Sequence, residues 1–315
     1  MRRGSGNKLR GAVTAAVLTA AATVTALVLP ATATAQPARP AAAVAPAAPA
    51  APAWAPEQSA AIHPGVLTTT TGGGQCTSNF VFTAGGRTYL GQAAHCSATG
   101  KATDTDGCTS TLLPLGTEVD ITGATRKGVL AYSSWSAMQA RGETDRGACG
   151  ANDFALVAID PADVASVNPT MPFFGGPTGV SSAGLPEGAQ TFTYGNSPLR
   201  GGISALSPKG GVSAGDTNGG WGHEVYTTSP GVPGDSGSGY LDADGGAVAV
   251  LSTLNLAPLP VSNGVADLAR ALAYANEYGG LGPIALVPGT RAFTQSPPGV
   301  PATAVAVPAG PPLGG

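Results

Sequence analysis

The chain has 315 residues, 43% of them hydrophobic, which is enough to bury a core and excludes a chain disordered throughout. Charged residues make up only 10%, against 47 glycines and 28 prolines, and this excludes an architecture of long charged helices in favour of short strands joined by many turns. The formal charge of −3 becomes about −7 once Arg2, Arg3, Lys8 and Arg10 are removed with the N-terminal segment, which argues against nucleic acid as a partner.

Those four basic residues precede an uncharged apolar run from Gly11 to Leu29, then Pro30 and an Ala33-x-Ala35 site. The run is about long enough to span a bilayer. Its four threonines and the small-residue site behind it instead predict a secretory signal over residues 1–35 that is cleaved, leaving an extracellular protein without a membrane anchor. Residues 36–56 contain 17 Ala or Pro among 21, too few core-forming side chains to pack, and read as an extended spacer or short pro-segment. Residues 295–315 form a similar uncharged tail, expected to be disordered. Between them, residues 57–294 are expected to form one globular all-β domain, acting as a monomer.

Within that domain "NFVFT" and "RTYLGQ" flank Ala84-Gly85-Gly86 and predict a hairpin. "FALVAI", "TFTYG", "EVYTT" and "AVAVLSTL" predict further strands, and "YLDADGGAVAV" a second hairpin turning at Asp242 to Gly246. Val265, Leu268 and Leu272 share a helical face, with Asn263 placed to cap the start and Gly279 to close the end. Many strands and one late helix suggest a barrel. "GGISALSPKGG" and "TNGGWGH" are Gly-rich outside any strand-to-helix context for phosphate, and read as surface loops. "TDTDGC" resembles the start of a calcium loop but lacks the later acidic ligands, and reads as a plain turn.

Four cysteines in an exported chain predict two disulfides, for which sequence alone allows three pairings. The first hairpin favours Cys76 with Cys96, whose positions bracket it, leaving Cys108 with Cys149. No Cys-x-x-Cys pair is present and there are only three histidines, so no metal site and no cofactor are expected.

The candidate chemistry centres on Ser236 in "SPGVPGDSGSGY". A serine hydroxyl needs a base to take its proton and backbone N–H groups to hold the anion it creates, and Gly234 and Gly237 allow a turn tight enough to supply them. Of the three histidines, His63 sits beside Pro64 in a lead-in and His223 in a Gly-rich approach to a strand, whereas His95 in "GQAAHCSA" follows the hairpin and is clamped by Cys96. A carboxylate should orient that imidazole. Asp153 opens the apolar run of "ANDFALVAID", where an unpaired carboxylate would be costly, while Asp145, Asp160 and Asp163 lie in more polar or Pro-rich surroundings.

The order His95, Asp153, Ser236, with "AAHC", "NDFALV" and "PGDSGS" around the three, resembles the chymotrypsin-like (trypsin-fold) serine proteases of the secreted actinobacterial type, over roughly Cys76 to Tyr278. The resemblance implies two six-stranded antiparallel β-barrels with the active site between them and a C-terminal helix. It implies a secreted serine endopeptidase acting on proteins or peptides, with His95 as general base and acid, Asp153 as its orienting partner and Ser236 as nucleophile. The Gly234 and Ser236 N–H groups would form the oxyanion hole. Ser252 in "VLSTL" would face the substrate backbone and the catalytic carboxylate. Family members that cleave after Lys or Arg carry an acidic residue six positions before the nucleophile; Pro230 stands there, so an apolar or small substrate side chain is expected, with Leu254 placed to narrow the pocket. In animal relatives the carboxylate at Asp235 pairs with a new N-terminal ammonium, and no Ile-Val-Gly-Gly-like start occurs here. Either an internal cation such as an arginine takes that role, or the chain is a latent or non-catalytic protein that binds a partner through its cleft.

Overall fold

Strand β1 (Leu67–Thr70) turns through Gly72, at φ +81°, into β2 (Gln75–Thr77). The hairpin predicted next is present, β3 (Val81–Ala84) and β4 (Arg87–Gln92), with Gly85 and Gly86 at φ +55° and +76° in a conformation that residues with a Cβ seldom adopt. This computed structural model describes residues 53–101, 104–255 and 261–295, so the expected signal segment, residues 36–52 of the expected spacer and the expected tail beyond Gln295 lie outside the described residues. All described residues fall within one compact unit. Strands β5 (Glu118–Ile121) and β6 (Gly128–Ser133) follow, then helices α1 (Ser134–Arg141) and α2 (Arg146–Ala151), and then β7 (Ala155–Ala158). Neither short helix carries an apolar stripe that marks it in sequence; α2 is started by Asp145, whose carboxylate accepts from the Gly147 and Ala148 N–H groups.

The second half begins with β8 (Gln190–Tyr194) and β9 (Pro208–Thr217). Strand β9 corrects the reading of its Gly-rich stretch as a surface loop: it pairs with β8 on one side and β10 (Gly222–Thr227) on the other, and tertiary pairing overrides its weak strand propensity. Gly211 is needed there, since a Cβ would stand 2.6 Å from the Tyr226 carbonyl oxygen. The predicted second hairpin forms as β11 (Gly239–Asp242) and β12 (Ala247–Asn255), followed by β13 (Ser262–Asp267). The late helix α3 (Leu268–Tyr278) begins five residues after Asn263, and its N-cap is Asp267, which accepts from the Arg270 N–H. Asn263 and Val265 belong to β13, held there by pairing with both β10 and β12. A last short strand, β14 (Ala285–Leu286), returns to β3.

Six strands close a barrel in the order β10-β13-β12-β11-β8-β9, and the other eight form an antiparallel sheet in the order β14-β3-β4-β7-β6-β5-β1-β2. The sheet's middle six strands, β3-β4-β7-β6-β5-β1, are extended at its ends by β14 and β2. One apolar cluster joins the halves, with Phe80, Phe82 and Phe154 from the sheet packed with Phe192, Leu241 and Val250 from the barrel. A buried side chain of this size contributes about 1.5–3 kcal/mol, so this shared core fixes the geometry between the halves. Gly239 permits the close approach: a Cβ there would lie 2.5 Å from the Phe80 ring. Packing starts before residue 57, because Trp54 lies against the core of the sheet and the Ala55 N–H donates to the Val167 carbonyl at 2.8 Å.

Candidate active site

Register places the first two residues of interest. Gln92 at the end of β4 pairs with Ala155 at the start of antiparallel β7, so His95, three residues beyond one, and Asp153, two before the other, emerge side by side. His95 lies on a 3-10 turn, Ala94–Ser97, tied by the Cys76–Cys96 disulfide to β2. Its Nδ1 is 2.6 Å from Asp153 Oδ2, and its backbone N–H donates to Oδ1 at 2.9 Å. The Ser252 hydroxyl donates to Oδ2 at 2.6 Å, so the barrel strand β12 also grips this carboxylate. The Asp153 side chain is 3% exposed and that of His95 27%, a buried anion beside a reachable imidazole. Burial opposes the charge on both groups. Mutual attraction and hydrogen bonding more than offset it, holding the Asp153 carboxyl below its ordinary value and His95 above its own.

Ser236 comes from the barrel, on the loop between β10 and β11. Gly234 and Gly237 have φ of +96° and +87°. At Gly237 the loop meets the sheet so closely that a Cβ would stand 2.6 Å from the Thr77 carbonyl oxygen and 2.9 Å from the Ala93 nitrogen. Thr77 clamps the loop, its N–H donating to the Ser236 carbonyl at 2.8 Å and its hydroxyl to the Gly234 carbonyl at 2.7 Å. Along this loop the N–H groups of Val232, Asp235, Gly237 and Ser238 are all engaged. Those of Gly234 and Ser236 have no acceptor among the described residues.

Asp235, fully buried, has internal partners. Arg200 Nη2 donates to its Oδ2, Lys209 Nζ reaches the same oxygen at 2.8 Å, and the N–H groups of Ser197 and Val232 donate at 2.9 and 3.1 Å. Gly195 leaves room for this cluster, since a Cβ there would be 2.5 Å from Asp235 Oδ1. Burial pushes the carboxyl up, but Arg200 and Lys209 outweigh it and leave Asp235 below the ordinary range. Lys209 goes the other way: burial outweighs Asp235 and lowers the ammonium to about 8. Of the two alternatives left open by the sequence, an internal cation or no such partner, the first is present as Arg200, with Lys209 as a second cation that no local signal marks.

His95, Asp153, Ser236 and Ser252 all line one cleft of about 720 Å³ between sheet and barrel, together with Trp135, Leu251, Thr253, Leu254 and Asn263. Leu254 is 40% exposed at the rim. Pro230 is not among the residues that line the cleft, and its carbonyl accepts from Arg200 at 3.1 Å. Of the other histidines, His63 Nδ1 sits 2.8 Å from the Pro64 carbonyl oxygen, and His223 is buried within β10 between Asp216 and Asp267. Asp163 is buried rather than solvated, because it receives the N–H groups of Thr125 and Arg126. The described part of "TDTDGC" forms turns, with Asp106 Oδ1 accepting from the Cys108 N–H. Cys108 bonds Cys149, so the sulfurs near His95 and near Asp106 are disulfide sulfurs and offer no thiolate to a metal.

The topology decides the fold: a closed six-stranded barrel against an antiparallel sheet, a late helix, and a cleft at their junction. The closed barrel and the late helix agree with the architecture that the resemblance to the chymotrypsin-like proteases implies. No protein-family model and no curated protein sequence matches the chain. Among solved structures this chain is similar to Thermobifida fusca protease A, with 19% identity, 73% of this chain and 100% of that one covered, and a TM-score of 0.46. A glutamic acid-specific serine protease matches at 18% identity, covering 72% and 100%, with a TM-score of 0.44. Nocardiopsis protease matches at 18% identity, covering 71% and 98%, with a TM-score of 0.40.

Proposed function

We propose that this protein is a secreted serine endopeptidase that hydrolyses peptide bonds through an acyl-enzyme. The observation that carries the reading is the Ser236 loop: two unengaged N–H groups flank a serine braced on both sides, in the cleft that also holds the His95–Asp153 pair. His95 takes the Ser236 proton as Oγ attacks the substrate carbonyl, and the Gly234 and Ser236 N–H groups receive the oxyanion. The imidazolium then protonates the leaving amine, and water enters by the same route to release the acid. Asp153 holds Nδ1–H, which leaves Nε2 as the base, and Ser252 fixes the carboxylate. The reading of a latent, partner-binding protein rests on a blocked pocket or an absent activation switch, and the second ground has less support, since Asp235 has two cations here.

Two disulfides suit an oxidising compartment, and no helix among the described residues is long and apolar enough to cross a membrane. The reading includes removal of residues 1–35 on export, a spacer before the domain, and action as a monomer on proteins or peptides.

A pH profile tests the base. The reactive form has neutral His95, whose value is raised by Asp153 despite burial, so kcat/KM should fall about tenfold per pH unit on the acid side, with its midpoint above the ordinary imidazole value of about 6.5. A flat profile between pH 5 and 8 would remove His95 from that role. Stability follows a different rule: the raised His95 contributes below its unfolded value and loses this as pH rises through the folded one, while the lowered Asp153 contributes above its unfolded value and loses this on acidification.

A further inference from the structure

The part of the cleft beside Ser236 has two walls, Gly231–Pro233 on the loop and Leu251–Asn255 on β12. Asn263 of β13, directly across from Leu254 and 1% exposed, bridges them. Its Oδ1 accepts from the Gly231 N–H at 2.7 Å, and its Nδ2 donates to the carbonyls of Gly231 at 3.2 Å and Thr253 at 3.1 Å. Every donor of this amide is used, so the bridge is satisfied and stays in place when substrate enters. Leu251 adds to the filling, because a Cβ on Gly231 would already lie 2.6 Å from its Cδ2.

A flat ring held between two walls needs roughly 7 Å between them, since each face contacts its neighbour at about 3.5 Å. The two wall carbonyls, each within 3.2 Å of one nitrogen, stand closer than that. Among the described residues, the lining formed by Gly231–Pro233, Ser236, Leu251–Asn255 and Asn263 carries no charged side chain, so an acidic or basic substrate side chain gains no partner from it.

Resting on the protease reading of this cleft, we propose that Asn263 is the specificity-determining residue and that the enzyme cleaves after small side chains, glycine, alanine or serine. The bridge excludes larger side chains by occupying the space between the walls. Leu254, half out in solvent at the rim, is not the plug.

The test is kcat/KM on a peptide series differing only in the residue before the scissile bond (Ala, Phe, Lys, Glu), for the wild type and for Asn263→Gly and Asn263→Ala, with fluorophosphonate labelling of each protein in parallel. The wild type should favour Ala over Phe by about 100-fold or more, and opening the bridge should reduce that preference at least tenfold through gained Phe cleavage. Should the variants misfold and fail to label, the wild-type series alone decides. A labelled wild type that cleaves after Phe, Lys or Glu as well as after Ala overturns the inference and leaves the protease reading intact. A wild type that neither labels nor cleaves any peptide overturns both.

Discussion

Replacing Ser236 by alanine is expected to lower kcat about a million-fold while the protein keeps its fold, with kcat measured on an alanine peptide and the fold by thermal unfolding. On the proposed mechanism only the nucleophile is lost. The Ser236 carbonyl still receives the Thr77 N–H, the glycines at 234 and 237 still set the turn, and both proposed oxyanion donors are backbone groups untouched by the change. Residual catalysis roughly 10³–10⁴-fold over water should therefore persist, and adding His95→Ala should cost little more, because the two side chains act as one unit. A decrease of less than about 100-fold would mean that another group does the chemistry.

Asp235→Ala should lower the free energy of unfolding by about 3–5 kcal/mol and the turnover by at least 100-fold. The substitution leaves Arg200 and Lys209 buried without their anion, and it frees the Val232 N–H of the Ser236 loop and the Ser197 N–H of the neighbouring segment between β8 and β9. Lys209→Met should be far milder, within about 1 kcal/mol, because Arg200 still neutralises Asp235 and a buried ammonium has been exchanged for an apolar chain of similar length. Urea unfolding across pH separates the two cations. Lys209 has a folded value of about 8, below its unfolded one, so between pH 8 and roughly 10.4 the unfolded chain binds more protons at this site and folding gains stability as pH rises. Lys209→Met should lose that slope. An Asp235→Ala protein as stable and active as the wild type would show that the cluster does not support the site.

The sequence announces structure where the signal is local. Strand β4 coincides with "RTYLGQ", and the β11 and β12 hairpin with "YLDADGGAVAV", because apolar residues and turn glycines lie within a few positions of each other. Strand β9 is hidden, since Pro208–Thr217 has three glycines and becomes a strand only when β8 and β10 supply both edges. The start of α3 is misplaced for a related reason: Val265, Leu268 and Leu272 fit a helical face, yet Val265 equally fits the alternation of β13, and pairing decides between them.

At the site, the motif residues His95, Asp153 and Ser236 could be named because each sits in a short distinctive stretch, and the structure brings all three to one cleft. Arg200, Lys209 and Asn263 could not, because their meaning is purely long-range. Lys209 lies in a Gly-rich run that reads as exposed, and Asn263 is a polar residue in a strand with no local partner. The faint signal for Lys209 was the need for some internal cation once the N-terminal ammonium of animal relatives was absent. For Asn263 none existed short of the three-dimensional pairing of β13 with β12.

The proposed mechanism requires Ser236 to be an activated nucleophile served by a formed oxyanion hole. Intact-mass analysis before and after a fluorophosphonate probe, with Ser236→Ala alongside, tests it most directly. One adduct per molecule is expected on the wild type and none on the variant. Folded, disulfide-intact wild type that stays unlabelled, or a variant that labels equally, would contradict it.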